Sequence, residues 1–498
     1  MNPHFHVELQ PAGAAFEVEC GASLDTALSS WGVEFPCGGE GICRGCRVRV
    51  IEGAVAITPE MERAFTPAEL AAGWRLACCG RVESPLVLEV AQWAMPVLSD
   101  DTTLAFEPAE GTAIAIDLGT TTVVAQTLDL ATGEVLAVET ALNPQAVHGA
   151  DIMSRIEFAL RGGAPSLAAS VREALGALIE KSPRREQVRT VIVAGNTAMH
   201  HLFCAIDVTP LAGVPFQPVN DGEQVFRPSE LGWDLRESAI VRFLPCLGGF
   251  VGSDLLAGII ATGIAESGSL RALIDLGTNG EIVLGNAERI LCASTAAGPA
   301  FEAGRIRMGM RAAAGAISHV TACNGGVECR IIGDTQARGI CGSGLVDAVA
   351  AGLELGAILP SGRLKVAGTE FVLVPPVGIS QSDIRELQLA KGAIAAGLRI
   401  LTDRWGASIE DIETIYLAGA FGNYVRLESA RRIGLLEMDS GRVLPAGNTS
   451  LRGVKMALLC PSKRERWVRH IGSITEHIPL ASDRRFQDTF MDCLALGE

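Results

Sequence analysis

Cysteines near the N-terminus have the residue types and spacing of a metal centre. Cys37, Cys43 and Cys46 lie in the glycine-rich stretch PCGGEGICRGCRV, and a fourth thiol follows later as Cys78 or Cys79. Four thiolates hold either an iron–sulfur cluster or a structural zinc ion. Glycines permit left-handed backbone conformations and let amide groups point at sulfur atoms, while zinc sites usually use two C-x-x-C units and only one is present. We therefore expect a [2Fe–2S] cluster, with zinc as the alternative.

Two short turns have the chemistry of phosphate binding. Asp117 begins the stretch DLGTTT after an apolar strand, and Asp275 begins DLGTNG after a comparable strand. Backbone N–H groups and hydroxyls in such turns bind phosphate oxygens, and a carboxylate at the strand end holds Mg²⁺ through water. In a third stretch, LAGAFGN, glycines such as Gly419 allow the backbone to lie against a base and ribose. The chain has neither a P-loop nor a dinucleotide-binding G-x-G-x-x-G motif, so we expect an ATP site of another type.

The elements that carry these motifs divide the chain into an α+β domain and a two-lobed α/β core. Residues 1–92 combine a β-hairpin at 5–19 with strand-like and helix-like segments, which predicts a mixed sheet crossed by one helix. Residues 93–110 contain prolines and acids without periodicity and are predicted as a linker. From residue 111 onward, apolar strands alternate with helical segments, as in sheets covered on both faces. The similarity of AIDLGTTT and LIDLGTNG predicts two related halves, the first lobe at 111–270 and the C-terminal domain at 271–498.

Composition and charge exclude several classes of protein. The chain has 498 residues, of which 48% are hydrophobic, 5% aromatic and 56 glycine, which suits a glycine-rich α/β protein of several domains. Its formal charge of −16 argues against nucleic acid as a partner, because phosphate backbones require clustered Lys and Arg. The first residues lack a basic and then apolar leader, and no apolar run reaches the ~18 residues that cross a bilayer. We therefore expect a cytoplasmic protein without membrane contact.

The N-terminal part resembles [2Fe–2S] ferredoxins of the β-grasp fold. Its C-x5-C-x2-C spacing is one residue longer in the first gap than the plant-type pattern and is similar to the adrenodoxin-like variant. In similar ferredoxins the last ligand directly follows Leu-Ala, which implies Cys78 rather than Cys79. Alternation along a strand over residues 74–82 would also place these two thiols on opposite faces. The ligand set implied by the resemblance is Cys37, Cys43, Cys46 and Cys78.

The core resembles the ASKHA superfamily, which contains acetate and sugar kinases, heat-shock chaperones and actin. In that superfamily the first two motifs bind phosphates, the third binds adenosine, and two lobes close over the nucleotide. The cofactor-binding residues implied are Asp117, Gly119, Thr120 and Thr121 at the first phosphate site, Asp275, Gly277, Thr278 and Asn279 at the second, and Gly419, Ala420 and Gly422 at the adenosine site. Asp254 and Glu281 are the candidates for the catalytic base that positions water.

Together the two parts resemble one family, the ATP-dependent reductive activators of corrinoid proteins. Further stretches similar to that family are ALNPQ at 141–145, GAD at 149–151, AGNTAM at 194–199, STAAGPAFE at 294–302 and GICGSG at 339–344. The resemblance implies reduction of an inactive cobalt(II) corrinoid to cobalt(I), an uphill one-electron step made possible by ATP-linked closure of the lobes. It implies a corrinoid protein and an upstream electron donor, a reductase or ferredoxin, as partners, and it is compatible with a homodimer.

Three other functions compete with this one. An activator of another low-potential enzyme, such as a 2-hydroxyacyl-CoA dehydratase, would share the core, but similar activators hold a [4Fe–4S] cluster between two subunits and lack an N-terminal ferredoxin. A non-hydrolysing nucleotide sensor with an electron-transfer module would bind ATP without partner-stimulated turnover. A small-molecule kinase would leave the redox domain unexplained. Partner-stimulated hydrolysis of ATP distinguishes an activator from a sensor.

Overall fold

The computed structural model describes residues 3–10, 14–28, 41, 46–90, 104–149, 151–277, 279–333, 335–422, 424–438 and 440–497. These residues form three successive parts, each built on its own sheet: an N-terminal domain, a middle domain and a C-terminal domain. Within this part of the chain, no helix combines the length and the apolar character that crossing a membrane requires.

The N-terminal domain is a mixed five-stranded sheet with the strand order β2-β1-β5-β3-β4. Its strands are β1 (His4–Gln10), β2 (Ala14–Glu19), β3 (Arg47–Glu52), β4 (Trp74–Leu76) and β5 (Leu86–Val90), and its helices are α1 (Leu24–Leu28), α2 (Pro59–Ala64) and α3 (Pro67–Ala71). Antiparallel pairing of β1 with β2 confirms the predicted hairpin, and β1 pairs in parallel with β5. Two helices replace the one predicted between β3 and β4, because Thr58 and Thr66 each cap the start of a helix.

The predicted strand over residues 74–82 is shorter in the structure. β4 ends at Leu76, and Ala77–Cys79 form a 3₁₀ turn. Side chains of a turn do not alternate between two faces as those of a strand do, and the sulfur atoms of Cys78 and Cys79 lie 3.6 Å apart. The expectation that these two thiols point in opposite directions is therefore wrong.

The middle domain is a six-stranded sheet with the order β10-β11-β9-β6-β7-β8. Its strands are β6 (Thr112–Leu118), β7 (Thr122–Asp129), β8 (Val135–Leu142), β9 (Val188–Gly195), β10 (Gln224–Phe226) and β11 (Ile240–Phe243), and its helices are α4 (Ile152–Phe158), α5 (Ala164–Glu180), α6 (Thr197–Cys204), α7 (Pro228–Leu231) and α8 (Ser253–Thr262). β6, β7 and β8 form an antiparallel meander, and β9 and β11 add in parallel. β6 is apolar almost throughout because both faces of the sheet are covered.

The C-terminal domain repeats this arrangement in a sheet with the order β21-β20-β12-β13-β14-β22. Its strands are β12 (Arg271–Leu276), β13 (Gly280–Gly285), β14 (Ile290–Thr295), β15 (Ala316–Cys323), β16 (Gly326–Ile331), β17 (Gly339–Ile340), β18 (Glu370–Val374), β19 (Val377–Ser380), β20 (Thr414–Ala418), β21 (Val443–Gly447) and β22 (Thr475–His477). Its helices are α9 (Gly342–Glu354), α10 (Gln381–Trp405), α11 (Gly419–Gly422), α12 (Leu427–Arg432), α13 (Thr449–Leu459), α14 (Pro461–Ile474) and α15 (Arg484–Asp492). Five strands follow the same chain order in both sheets, which confirms the predicted relation between the two halves.

The middle and C-terminal domains share a hydrophobic core around helices α8 and α13. This core unites side chains of both sheets, such as Val124 on β7 and Val283 on β13. The two helices cross closely, because a Cβ at Gly453 would overlap the carbonyl oxygen of Ala257. The motif-bearing strands β6 and β12 end near each other at the boundary between the lobes, called the cleft below, since Asp117 and Asp275 are close enough for their charges to interact.

The described part of the predicted linker lies against this core. The Glu107 N–H donates to Leu459 O at 2.7 Å, and Cys460 Sγ lies 3.3 Å from Ala105 O. Phe106 packs on the shared core. Residues 104–110 are thus ordered along α13 and α14, while residues 93–103 lie outside the described residues.

Candidate functional site

The first phosphate turn (the DLGTTT stretch) leaves β6 and enters β7. Its peptide carbonyls are bound from the protein side, since Gly119 O accepts from Asn143 Nδ2 at 2.9 Å. Thr120 O accepts from Arg155 Nη2 at 2.6 Å, and Thr121 O accepts from the Asn143 N–H at 2.8 Å. Neither the Thr120 nor the Thr121 N–H has an acceptor among the described residues. The turn therefore presents free backbone donors to an anion.

Asp117 connects the two lobes at the base of this turn. Its carboxylate accepts hydrogen bonds from Asn448 Nδ2 and Ser450 Oγ, each at 2.8 Å, at the N-terminus of α13. Burial raises the pKa of Asp117, and these two hydrogen bonds partly offset the rise. A carboxylate of the middle domain is thus bound to the start of a helix in the C-terminal domain and connects the two lobes.

The second phosphate turn (the DLGTNG stretch) stands at the end of β12. The Gly277 N–H donates to Asn279 O at 3.2 Å, which closes the turn toward β13. A Cβ at Gly277 would lie 3.9 Å from Oε1 of Glu302, so an acidic side chain borders this turn. The predicted phosphate ligand Thr278 lies outside the described residues.

The third motif, LAGAFGN, packs directly against the second phosphate turn. Gly419 has a φ of +84°, and a Cβ at this position would lie 2.8 Å from Asp275 Oδ1. Phe421 contacts Phe301 with 4.8 Å between ring centroids. A Cβ at Gly422 would lie 2.9 Å from the carbonyl oxygen at position 417. The predicted adenosine motif is therefore close to Asp275, while the side chain of Ala420 lies outside the described residues.

Carboxylates from both lobes converge on the cleft between the turns: Asp117, Asp254, Asp275, Glu281 and Glu302. Burial, followed by repulsion from neighbouring acidic groups, raises the pKa of Asp254 and of Asp275 to about 7. The same causes raise the pKa of Glu281 well above its usual value. A cation in the cleft would stabilise the charged forms. Among the described residues, no three His, Cys, Asp or Glu side chains are grouped closely enough to hold a metal ion directly.

Both candidates for the water-positioning base lie in this cluster. Asp254 stands in the first turn of α8, where Oδ1 accepts from the Leu255 N–H at 2.8 Å. Glu281 lies on β13 and accepts a hydrogen bond from Ser294 on β14. The pKa of Asp254, about 7, suits a group that exchanges a proton near neutral pH. The structure brings both candidates to the phosphate turns and does not distinguish their roles.

An open cleft of about 340 Å³ lies beyond the third motif, and sequence reasoning did not identify it. Asp347 on α9 accepts from the Val320 N–H at 3.3 Å, and burial raises the pKa of its carboxyl. Arg426, just before α12, donates to Thr321 Oγ1 at 3.1 Å on the opposite wall. The full lining is Val320, Thr321, Ala322, Asp347, Ala350, Ala351, Glu354, Arg426, Glu428, Ser429 and Arg432. These residues come from three separate segments of the chain, so no single sequence motif predicts the cleft.

Several residues that hold the first phosphate turn were also missed. Asn143, directly after β8, and Arg155 on α4 bind carbonyl oxygens of the turn. Asn196, at the start of α6, donates from Nδ2 to Thr120 Oγ1 at 2.9 Å. The family-like stretches ALNPQ and AGNTAM contain two of these residues, and GAD lies just before the third. Those stretches were the available signal, but sequence alone does not say which turn they hold.

Three of the described cysteines of the N-terminal domain, Cys46, Cys78 and Cys79, form a compact group. Cys46, just before β3, and Cys78 have their sulfur atoms 3.2 Å apart. Cys79 Sγ would lie 2.8 Å from a Cβ at Gly41, whose φ is +74°. Two thiols at this separation suit ligands of the same metal centre. The predicted ligands Cys37 and Cys43 lie outside the described residues.

Arg47, the neighbour of Cys46, joins the N-terminal domain to the C-terminal domain. Its Nη1 donates to Arg307 O at 2.6 Å, and its Nη2 donates to Gly309 O at 2.7 Å. A second contact between these domains is the ion pair of Glu89 with Arg338 at 2.7 Å. The loop that Arg47 binds follows Glu302 by a few residues, so the thiol group and the carboxylate cleft are connected through a short segment of chain.

Family models match the chain in three successive parts. Residues 7–83 match a 2Fe-2S iron-sulfur cluster binding domain, so the N-terminal domain is of the [2Fe–2S] type. Residues 112–267 match the RACo middle region, and residues 269–498 match the C-terminal domain of RACo, the ASKHA domain. The last match confirms the expected class of the core.

Relatives of known activity cover most of the chain. The corrinoid activation enzyme RamQ of Eubacterium limosum is 35% identical over 77% of this chain and 70% of its own length. The [Co(II) methylated amine-specific corrinoid protein] reductase of Methanosarcina barkeri is 29% identical over 76% of each chain. The solved structure of a reductive activator for a corrinoid, iron-sulfur protein superposes with a TM-score of 0.71 at 27% identity, covering 99% of this chain and 98% of that one. This chain therefore belongs to the family of reductive activators of corrinoid proteins.

Proposed function

We propose that the protein reduces the cobalt(II) form of a corrinoid protein to cobalt(I) by one electron, in a reaction driven by ATP hydrolysis. The observation that carries the proposal is the arrangement of one chain, in which Arg47 joins a thiol group in a ferredoxin-type domain to a carboxylate-lined cleft between two lobes. The names of two relatives, a corrinoid activation enzyme and a reductase of a Co(II) corrinoid protein, support this substrate.

The redox centre lies at the thiol group of the N-terminal domain. In this proposal its ligands are Cys37, Cys43, Cys46 and Cys78. The 3.2 Å between the Cys46 and Cys78 sulfur atoms supports this pair, and the match to a 2Fe-2S binding domain supports iron rather than zinc. When bound, a [2Fe–2S] cluster supplies the one-electron couple for the cobalt. Cys79 lies beside the group as a thiol outside the ligand set.

The nucleotide occupies the cleft between the lobes. The first turn binds phosphate through Gly119, Thr120 and Thr121, and the second through Gly277, Thr278 and Asn279, with Asp117 and Asp275 holding Mg²⁺ through water. The adenosine lies on Gly419, Ala420 and Gly422 and extends toward the cleft lined by Asp347 and Arg426. Support comes from the free amide donors of the first turn and from the cluster of carboxylates whose pKa values are raised. Asp254 or Glu281 positions the attacking water.

Coupling between the nucleotide and the electron is needed because the reduction is uphill. A potential gap of a few hundred millivolts amounts to roughly 5–7 kcal/mol for one electron. Asp117 is bound to Asn448 and Ser450 across the lobes, so a ligand that competes for its carboxylate changes the contact between the lobes. A nucleotide that stabilises the closed conformer also increases the affinity for a partner that binds this conformer. A corrinoid protein and an upstream donor, a reductase or ferredoxin, are the partners in this proposal, and a homodimer is compatible with it.

An anaerobic spectroscopic assay tests the proposal. The reduced protein is mixed with a cobalt(II) corrinoid protein and Mg–ATP, and the absorbance of cobalt(I) is followed. We expect cobalt(I) only when ATP is hydrolysed. A signal of equal size without ATP, or no signal with any corrinoid protein, would refute the proposed activity.

Two variants assign the parts. Cys46→Ser should abolish the visible absorbance of the N-terminal domain and leave Mg–ATP binding intact. Asp117→Ala should keep that absorbance and abolish the ATP dependence. Retention of ATP-dependent cobalt reduction by Asp117→Ala would contradict the placement of the nucleotide.

A further inference from the structure

Arg155 on α4 is completely buried, with 0% of its surface exposed. All three nitrogen positions of its guanidinium have partners. Nε donates to Gly149 O at 2.8 Å, Nη1 lies 3.4 Å from Gln145 Oε1, and Nη2 donates to Thr120 O at 2.6 Å. Thr120 O is the central carbonyl oxygen of the first phosphate turn, so the Arg155 side chain connects α4 to the proposed nucleotide site.

The charge of Arg155 has no ion pair among the described residues. Burial lowers the pKa of the guanidinium to about 9, which leaves it protonated at neutral pH. Asp151 adds a favourable charge interaction, but its carboxylate caps α4 by accepting from the Ser154 N–H at 2.8 Å. A buried cation that is hydrogen-bonded but forms no ion pair is unfavourable. An anion bound at the neighbouring turn would supply the missing negative charge.

Peptide geometry determines what the bond to Thr120 does. In a planar trans peptide the C=O and N–H groups point in opposite directions. Asn143 and Arg155 draw the carbonyls of residues 119 and 120 into the middle domain, so the N–H groups of Thr120 and Thr121 point outward. Asn196 Nδ2 also orients the Thr120 hydroxyl at 2.9 Å. The outward side of the turn is thus organised before any ligand arrives.

We propose that Arg155 is a positioning residue of the nucleotide site, which together with Asn143 fixes the first phosphate turn in its phosphate-binding conformation and adds a buried positive charge behind it. The inference rests on the proposed nucleotide site and goes beyond it, because it assigns phosphate recognition to a residue that does not touch the nucleotide. It acts through the peptide of Thr120. A purely structural arginine would instead stabilise the middle domain without favouring one part of the ligand over another.

Comparison of two ligands separates these roles. Mg–ATP and adenosine are titrated calorimetrically into the full-length wild-type protein and the variant Arg155→Met. Only ATP carries the phosphates that meet the first turn, so we expect ATP affinity to fall about tenfold or more while adenosine affinity changes less than about twofold. Arg155→Lys, which keeps the charge and one donor, should lose less ATP affinity than Arg155→Met.

Arg172→Met is the matched control, because Arg172 also donates to a backbone carbonyl of the middle domain, Phe203 O at 2.8 Å, but does not contact the turn. It should change neither affinity. If Arg155→Met does not fold, Asn143→Ala tests the same restraint on the turn and should also weaken ATP binding selectively. Equal losses for ATP and adenosine, or no loss for ATP, would overturn the inference. Failure of the wild-type protein to bind ATP would instead refute the proposed nucleotide site and, with it, this role.

Discussion

Binding of Mg–ATP should release protons from the carboxylate cluster between the lobes. Asp254 and Asp275 both have a pKa of about 7 in the cation-free protein, chiefly because of burial. A bound cation favours the charged carboxylates, so it lowers their pKa and displaces the protons that they carry. The sign follows directly: the protons that Asp254 and Asp275 release are most numerous below pH 7 and decrease as the pH rises through 7.

The expected number of protons follows from the two pKa values. A group with a pKa of about 7 is about 0.9 protonated at pH 6, about 0.5 at pH 7 and about 0.1 at pH 8. Asp254 and Asp275 together therefore contribute about 1.8, 1.0 and 0.2 protons at these pH values, and Glu281, whose pKa is also raised, adds to this number. Isothermal titration in buffers of different ionisation enthalpy measures this number directly.

Variants separate these carboxylates from other titrating groups. Asp275→Asn should release fewer protons than the wild type at pH 6 and pH 7, by at least the share of Asp275, while protons from Mg–ATP itself cancel in the comparison. Asp411→Asn is the control, because hydrogen bonds lower the pKa of this exposed carboxyl and leave it charged throughout the range. Proton release that does not depend on pH, or that is the same in Asp275→Asn and the wild type, would show that the cation does not bind at this cluster.

Three further variants, two of them compared with a control variant, test other contacts. Gly419→Ala and Gly406→Ala both strain the backbone of a residue at positive φ, by about 1 kcal/mol each. Only at Gly419 does the new Cβ contact a carboxylate, so only Gly419→Ala should weaken nucleotide binding in a titration. Arg47→Ala removes two charge-assisted hydrogen bonds between the domains, each worth about 1.5–3 kcal/mol. Proteolysis between the domains should therefore become faster, and ATP-dependent cobalt reduction should fall. The control Arg63→Ala, on the surface of the N-terminal domain, should change neither. Cys46→Ser should lose the visible absorbance, and an unchanged spectrum would remove this residue from the ligand set.

Local patterns predicted the architecture and the three nucleotide motifs. The two DLGT turns end corresponding strands of two sheets with the same topology, so a repeat in the sequence reported a repeat in the fold. Local pattern failed at Cys78 and Cys79, because apolar alternation does not distinguish the end of a strand from a 3₁₀ turn. It could not find the partners of Asp117, since Asn448 and Ser450 come from the other lobe, hundreds of residues away in the chain. Contacts of that kind depend on how the sheets and helices pack, which a sequence window does not contain.

The close crossing of α8 and α13 limits how the two lobes can move. Helices whose backbones touch at Gly453 and Ala257 cannot slide or separate there without opening the core that both sheets share. Motion then reduces to a rotation about an axis near that contact, and displacement increases with distance from it. The loop bound by Arg47 lies outside this core, so a small change of the angle between the lobes would become a larger translation of the domain that carries the cysteines.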